Sequence, residues 1–158
     1  MRHPPISGAN NTNTIGEKMV HEMQLNDAPF TKIHKKEKDI ELRLFDEKRR
    51  KLNINDLIIF TNTSDPTLQE AVVIKSLHRY ITFEDLFHDF SPQRCGFETG
   101  TSISEAAAQM EQYYSPEVIS TLGVLGIGIK VVDLSRALEQ REAETASRFQ
   151  ALFPDGMK

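Results

Sequence analysis

Three strand-like stretches follow one another through the middle of the chain with only turn signals between them. Asp39 to Phe45 (DIELRLF) alternates strictly, with Ile40, Leu42 and Leu44 on one side and Asp39, Glu41, Arg43 and Phe45 on the other. That period of two is the signature of a half-buried strand. Asn53 to Asp56 resembles a turn, and LIIFTN (57–62) is a further strand that ends at the Ser64-Asp65-Pro66 turn. AVVIKSL supplies the β-branched run of a fourth strand over about 69–79. A doubly wound sheet needs a crossover helix after nearly every strand, and this pattern excludes it. The expected fold is α+β: a mixed barrel of about five to six strands with short flanking helices and a C-terminal helix.

The remaining segments fill in that plan. VHEMQL (20–25) alternates weakly and reads as the first strand, and Asn26 or Asp27 caps a short helix over 28–36 with Phe30 and Ile33 on one face. Thr82, with Asp85 three positions on, starts a helix carrying Phe83, Leu86, Phe87 and Phe90; Pro92 stops it near Phe90. Ser102-x-x-Glu105 is a capping box for a helix carrying Ile103, Ala106, Ala107, Met110 and Tyr113 or Tyr114. Ser115-Pro116 opens another, closed by Gly123. VLGIGIKVV (124–132) is a final core strand, with Gly126 and Gly128 on the face opposite Leu125, Ile127 and Ile129, open to close approach by a helix or ligand. Residues 134–153 read as an amphipathic helix through Leu134, Leu138, Ala146, Phe149 and Phe153, with Glu144 and Arg148 as an exposed i,i+4 pair. The polar, aperiodic residues 1–18 read as a disordered tail, so the domain proper runs from 19 to 133 and the C-terminal helical segment from 134 to 158.

Length and composition bound the function classes. A chain of 158 residues, 39% hydrophobic and 27% charged, suits one core. No apolar run reaches the length that spans a bilayer, and the N-terminus has no secretory h-region. A single cysteine, Cys95, excludes an internal disulfide framework and fits a reducing cytoplasm. The net charge of −4 hides an asymmetry: residues 32–51 carry nine Lys/Arg against five Asp/Glu, while the rest carries ten against eighteen. Such a basic stretch attracts phosphate within about 10 Å, although a solvated charged surface reads the same way.

Within that stretch, Glu41 and Arg43 leave their strand on the same side, with Phe45 next along and Lys38 just ahead. A cation, a carboxylate, a second cation and an aromatic ring in one row suit a nucleotide: Lys38 and Arg43 for phosphate, Phe45 for stacking, Glu41 for a base or hydroxyl donor. The bland alternative is a Glu41–Arg43 ion pair on a solvated strand. Arg79, beside His78 at a strand end, is a further phosphate contact, Arg49 and Arg50 belong to the basic stretch, and Tyr113 or Tyr114 is placed to line the cleft or to join the core. The five histidines are scattered, which gives no metal site, and the glycines of 123–128 lie inside a strand, which gives no dinucleotide fingerprint; no cofactor is expected.

The run Lys38-x-x-Glu41-x-Arg43 resembles the motif of the ASCH family, in which Gly-x-Lys-x-x-Glu-x-Arg enters a barrel strand. HEMQLNDAPFTKI (21–33), LHRY (77–80), YYSPE (113–117) and GVLGI (123–127) resemble small bacterial members, so the likeness covers about Met19 to Asp133. Lys36 stands where the family usually has glycine, as does Asn55 before Asp56. The resemblance implies a PUA-like barrel that binds RNA or a modified nucleotide through Lys38, Glu41, Arg43, Phe45, Arg49, Arg50, Arg79 and Tyr114. It also implies an alternative, an RNA-directed hydrolase with Lys38 or Glu41 as general base, since some relatives are ribonucleases and a small branch deacetylates acetylcytidine. That branch has a threonine three residues after its lysine, where this chain has Glu41. A third expectation is self-association through the helix of 134–153.

Overall fold

In a computed structural model of the chain, residues 18–153 are described, so the expectations for the tail 1–17 and for 154–158 lie outside the described residues. The β-branched and alternating runs form β1 (Val20–Leu25), β2 (Ile40–Leu44), β3 (Leu57–Asn62), β4 (Gln69–Tyr80) and β5 (Val124–Val132). They make one five-stranded sheet in the order β1-β3-β4-β5-β2. β1 runs parallel to β3, and all other neighbours are antiparallel. A register shift between Ile74 and Ser76 marks a bulge in the long β4, of the kind that bends a strand and lets a sheet curl. The result is a half-barrel. Its inner face is filled by Met23, Phe60, Val72, Ile74, Leu125 and Ile127, plugged at one end by Phe30 and Ile33 of α1 (Asp27–His34).

The outer face is covered as well. α2 (Phe83–Asp89), α3 (Ile103–Met110) and α4 (Pro116–Leu122) pack on Ile40, Leu42, Leu44 and Tyr80. α2 and α3 start where the capping residues predict: the Thr82 hydroxyl accepts from the Asp85 N–H and that of Ser102 from the Glu105 N–H, each at 3.1 Å. The Glu105 carboxylate returns to the Ser102 hydroxyl at 3.0 Å, so the box closes through side chains. A Cβ on Gly126 would lie 3.1 Å from Leu86 of α2, so the glycine expected to admit a close neighbour admits a helix. β2 is therefore covered on both faces, not half-buried as its alternation implies. Period two sorts residues into faces; it does not say that both are covered, and here the polar face carrying Glu41 points into the barrel.

α5 (Leu134–Leu152) packs only its first turns, through Leu134, Ala137 and Leu138, against Leu57, Ile59 and Ala71. Phe149, Leu152 and Phe153 at its far end are exposed. Glu144 does not sit on a free face beside Arg148; both its oxygens accept from the Val20 N–H, at 2.9 and 3.2 Å. That contact belongs to a larger pattern. β1 is an edge strand, and among the described residues its outward backbone groups have no strand to pair with. Glu144 takes the N–H of Val20, Lys48 donates to the Glu22 carbonyl at 2.6 Å, and Arg43 donates to the Gln24 carbonyl at 2.8 Å. Side chains thus close the seam between β1 and β2 that backbone pairing leaves open. No helix among the described residues is long and apolar enough to cross a membrane.

Lys36 at φ 63° and Asn55 at φ 77° both adopt left-handed backbone. At Lys36 the reason is a helix terminus. The Lys36 N–H bonds the Ile33 carbonyl at 2.9 Å and the Glu37 N–H bonds the Lys32 carbonyl at 2.8 Å, the paired bonds of a Schellman motif that ends α1 and aims the chain into β2. Lys36→Gly is expected to stabilise the protein by up to about 1 kcal/mol, strain relief offset in part by unfolded-chain entropy. Lys36→Val is expected to destabilise it clearly; urea unfolding of the two variants with matched m-values measures both.

Candidate functional site

The turn at Lys36 delivers Lys38 and then β2 to the rim of the half-barrel. Lys38 is 7% exposed and Glu41 2%, deep burial for two charged residues. The Glu41 carboxylate has its acceptors engaged. Oε1 takes Lys38 Nζ at 2.7 Å and the Leu42 N–H at 3.2 Å, while Oε2 takes Arg43 Nε at 3.0 Å and Nη2 at 2.8 Å. Burial opposes the charged form of Glu41, but Lys38 and Arg43 outweigh it through charge and hydrogen bonding, and hold the carboxyl below its ordinary range. The Lys38 stem runs under Gly96 (φ 100°), where a Cβ would stand 2.9 Å from Lys38 Cδ, so the backbone there has room only for glycine.

Above this trio opens a cavity of about 490 Å³. One wall is the β1–α1 corner around Leu25, Asn26 and Pro29; another is the Cys95–Glu98 loop; the third is the C-terminal end of α3 with Met110, Tyr113 and Tyr114. Lys32 of α1 ties two walls together, donating to the Gly96 carbonyl at 2.8 Å and to Glu98 at 3.0 Å. Tyr114 stacks on Phe83 at 6.2 Å and belongs partly to the outer core, whereas Tyr113 is 68% exposed at the rim. Burial pushes the Cys95 thiol up to about 12, so it carries no thiolate for nucleophilic chemistry at neutral pH. Among the described residues no group of three His, Cys, Asp or Glu side chains converges to hold a metal ion.

Of the residues singled out in the sequence, Lys38, Glu41, Arg43 and Tyr114 meet at this cavity. Phe45, Arg49, Arg50 and Arg79 do not line it. Phe45 is not a stacking platform in the cleft: it is 7% exposed and packed in the inner core, with the Arg79 guanidinium 3.9 Å and that of Arg50 4.9 Å from its ring centre. It shares a face with Glu41 and Arg43, as the alternation predicts, but the strand has by then passed beyond the cavity. Arg49 pairs with Asp46 at 3.1 Å. Lys32, which the sequence marks only as part of the basic stretch, and Met110, marked only as a helix residue, also line it, together with Phe97 and Gln109, which carry no sequence signal. They come from three distant segments, and only the chain's closure over β2 brings them to one place.

No family model and no curated protein matches the chain. Two solved structures place it by fold. The crystal structure of hypothetical protein PH0355 is 30% identical, with a TM-score of 0.64 and a match covering 72% of this chain and all of its own. The solution structure of protein PF0455 from Pyrococcus furiosus is 25% identical, with a TM-score of 0.57, covering 73% of this chain and 99% of its own. The class is an α+β half-barrel with a charged cleft at its seam. The chain belongs to the family of hypothetical protein PH0355.

Removing Glu41 alone leaves Lys38 buried without its partner, so Glu41→Ala is expected to cost about 3–5 kcal/mol, and the double change Lys38→Met/Glu41→Leu to recover most of it. The pH dependence has a fixed sign. With the folded value lowered, the carboxylate's contribution is complete above the unfolded pKa, about 4.3, and is lost as pH falls through the folded value. Acid titration of stability should therefore be shallower in the double variant than in the wild type below about pH 4.3. Parallel slopes would mean that Glu41 is not held charged.

Proposed function

We propose that the chain is an ASCH domain of PUA-like fold that binds single-stranded RNA, or a modified nucleotide, in the cleft over Lys38, Glu41 and Arg43. The run Lys38-x-x-Glu41-x-Arg43 supports this, and the left-handed backbone at Lys36 and Asn55 adds to it. Both residues replace glycines of the family pattern, and both positions keep the backbone that glycine serves, so the departures alter residue and not geometry. A small soluble domain of this kind fits a cytoplasmic role, with RNA as the partner and no cofactor.

The observation that carries the reading is the pairing of a fixed charge array with an exposed aromatic rim. A cavity of about 490 Å³ is in the range of small-ligand sites and suits one base with its sugar. Lys32, Lys38 and Arg43 face Glu41 and Glu98, a balance only mildly positive, which suits one nucleotide better than a run of phosphates. Tyr113 offers a ring for stacking, and Arg43, held at one edge by Glu41, keeps a partly exposed guanidinium at the cavity.

The hydrolase alternative is less well served. A general base near neutral pH needs a raised carboxyl pKa, and that of Glu41 is lowered, with its lone pairs already accepting from Lys38, Leu42 and Arg43. The acetylcytidine branch lacks its threonine, since Glu41 occupies that position.

Tyr113 provides the test because its exposure separates binding from folding. Tyr113→Ala should leave thermal stability within experimental error and weaken binding of a short single-stranded RNA by about 1–3 kcal/mol, the usual worth of one stacked base. Unchanged affinity in a fluorescence titration would remove the base from this cleft. Incubation of the wild type with RNA and with acetylcytidine, chelator present, is expected to give no product; turnover abolished by Glu41→Gln would favour the hydrolase.

A further inference from the structure

Outside the cleft, the cations that the sequence grouped with it form a second assembly at the other end of the seam. The Arg79 guanidinium lies over the Phe45 ring, 3.9 Å from its centre, and that of Arg50 stands 4.9 Å from the same centre. Neither makes an ion pair with a carboxylate among the described residues, unlike Lys38, Arg43, Arg49, Arg94 and Arg141. The Nε atoms of Arg49 and Arg79 are buried with no hydrogen-bond partner among the described residues, although Arg49 is anchored to Asp46 through Nη1. Arg79 is destabilised as a cation first by burial and then by Arg50, and the pKa of the exposed Lys48 is lowered by desolvation, Arg49 and Arg43 against the opposing pull of Asp46 and Glu22. Asp46 and Glu22 offset part of this charge at Arg49 and Lys48, and Arg50 and Arg79 carry the remainder, a place suited to an anion.

Strand register sets the relation to the cleft. Arg43 of β2 pairs with Leu125 of β5, which pairs with Arg79 of β4. Arg43 and Arg79 therefore stand on the same face, two strand spacings apart, or about 10 Å at the backbone. Arg43 thus stands between the cavity and the Arg79–Arg50 pair, with Lys48 along the same seam.

We propose that Arg79 and Arg50 form a phosphate-binding site, separate from the cleft, that holds the backbone phosphates of a single RNA strand flanking the bound nucleotide. The proposal depends on the reading of the cleft only for the direction in which the strand runs. Guanidiniums fixed on an aromatic ring are pre-organised donors for phosphate oxygens, and the Phe45 face that holds them is buried under them and is not offered to a base.

The test uses the full chain and a labelled single-stranded RNA decamer of mixed sequence, titrated between about 50 and 200 mM salt. Relative to wild type, Arg50→Gln/Arg79→Gln should lower the log–log salt slope by about 1.4, two phosphates at 0.7 each, and Arg50→Gln alone by about half of that. Arg50→Lys/Arg79→Lys keeps the charges and should keep most of the slope. Arg50 is exposed, so its single variant reads the effect without disturbing the core. Uncharged nucleosides followed by NMR at Tyr113 report on the cleft alone and should shift equally in all variants. A slope that stays the same in both glutamine variants, or a wild type that does not bind the decamer, overturns the phosphate site. A slope that falls as expected while nucleosides leave Tyr113 unmoved keeps the phosphate site and removes the cleft reading instead.

Discussion

The buried carboxylate of Glu41 is the interaction on which both the seam and the cleft depend. It sits on an edge strand with Lys38 on one oxygen and Arg43 on the other, and through Arg43 it reaches the Gln24 carbonyl of the opposite edge. A half-barrel must do something with two unpaired edges, because bare backbone groups invite association with other chains. Here Arg43 of β2 and Lys48 just after it seal β2 to β1 through the Gln24 and Glu22 carbonyls, and Glu144 of α5 takes the Val20 N–H at the same edge. Without Glu41 the arginine loses the contact that fixes its fork, and the lysine is left as an unpaired charge under Gly96.

Burying a carboxylate and a lysine beside a half-buried arginine is not an economical way to stabilise a fold. Desolvation offsets most of the attraction within such a group, and apolar residues of similar volume commonly do as well. What the trio provides is position. Lys38 and Arg43 are held at the floor and side of an open cavity in fixed orientations, with little rotamer freedom left to lose when a ligand arrives. The contacts that fix the two cations also keep the carboxylate charged and occupied, the opposite of what a general base near neutral pH needs.

The strands and most helix starts were legible in the sequence because their signals are local. Alternation in DIELRLF, the β-branched run in AVVIKSL and the hydroxyls of Thr82, Ser102 and Ser115 each act within a few residues, and β2, β4, α2, α3 and α4 form where they point. The pairing of Lys38, Glu41 and Arg43 was legible for the same reason, as three residues on one strand entry. Less legible was everything set by closure. Nothing near Phe45 distinguishes a ring facing a cleft from one facing a core; the difference lies in Arg79, a residue from another strand. Glu144 has an ideal local partner in Arg148, yet the unpaired N–H of Val20 takes it. Phe97 and Gln109 reach the cavity only through tertiary packing and left no pattern in the chain.

The central claim, that the fixed Lys38–Glu41–Arg43 array is the floor of a nucleotide-binding cleft, is tested most directly by a crystal structure of the full chain with a short single-stranded RNA. The account predicts one base inside the cavity, stacked on Tyr113, with its sugar or phosphate within hydrogen-bond distance of Arg43 and the Glu41 contacts unchanged. RNA bound elsewhere on the surface with the cavity empty would contradict it, as would a base that enters only by breaking the Glu41–Arg43 pair.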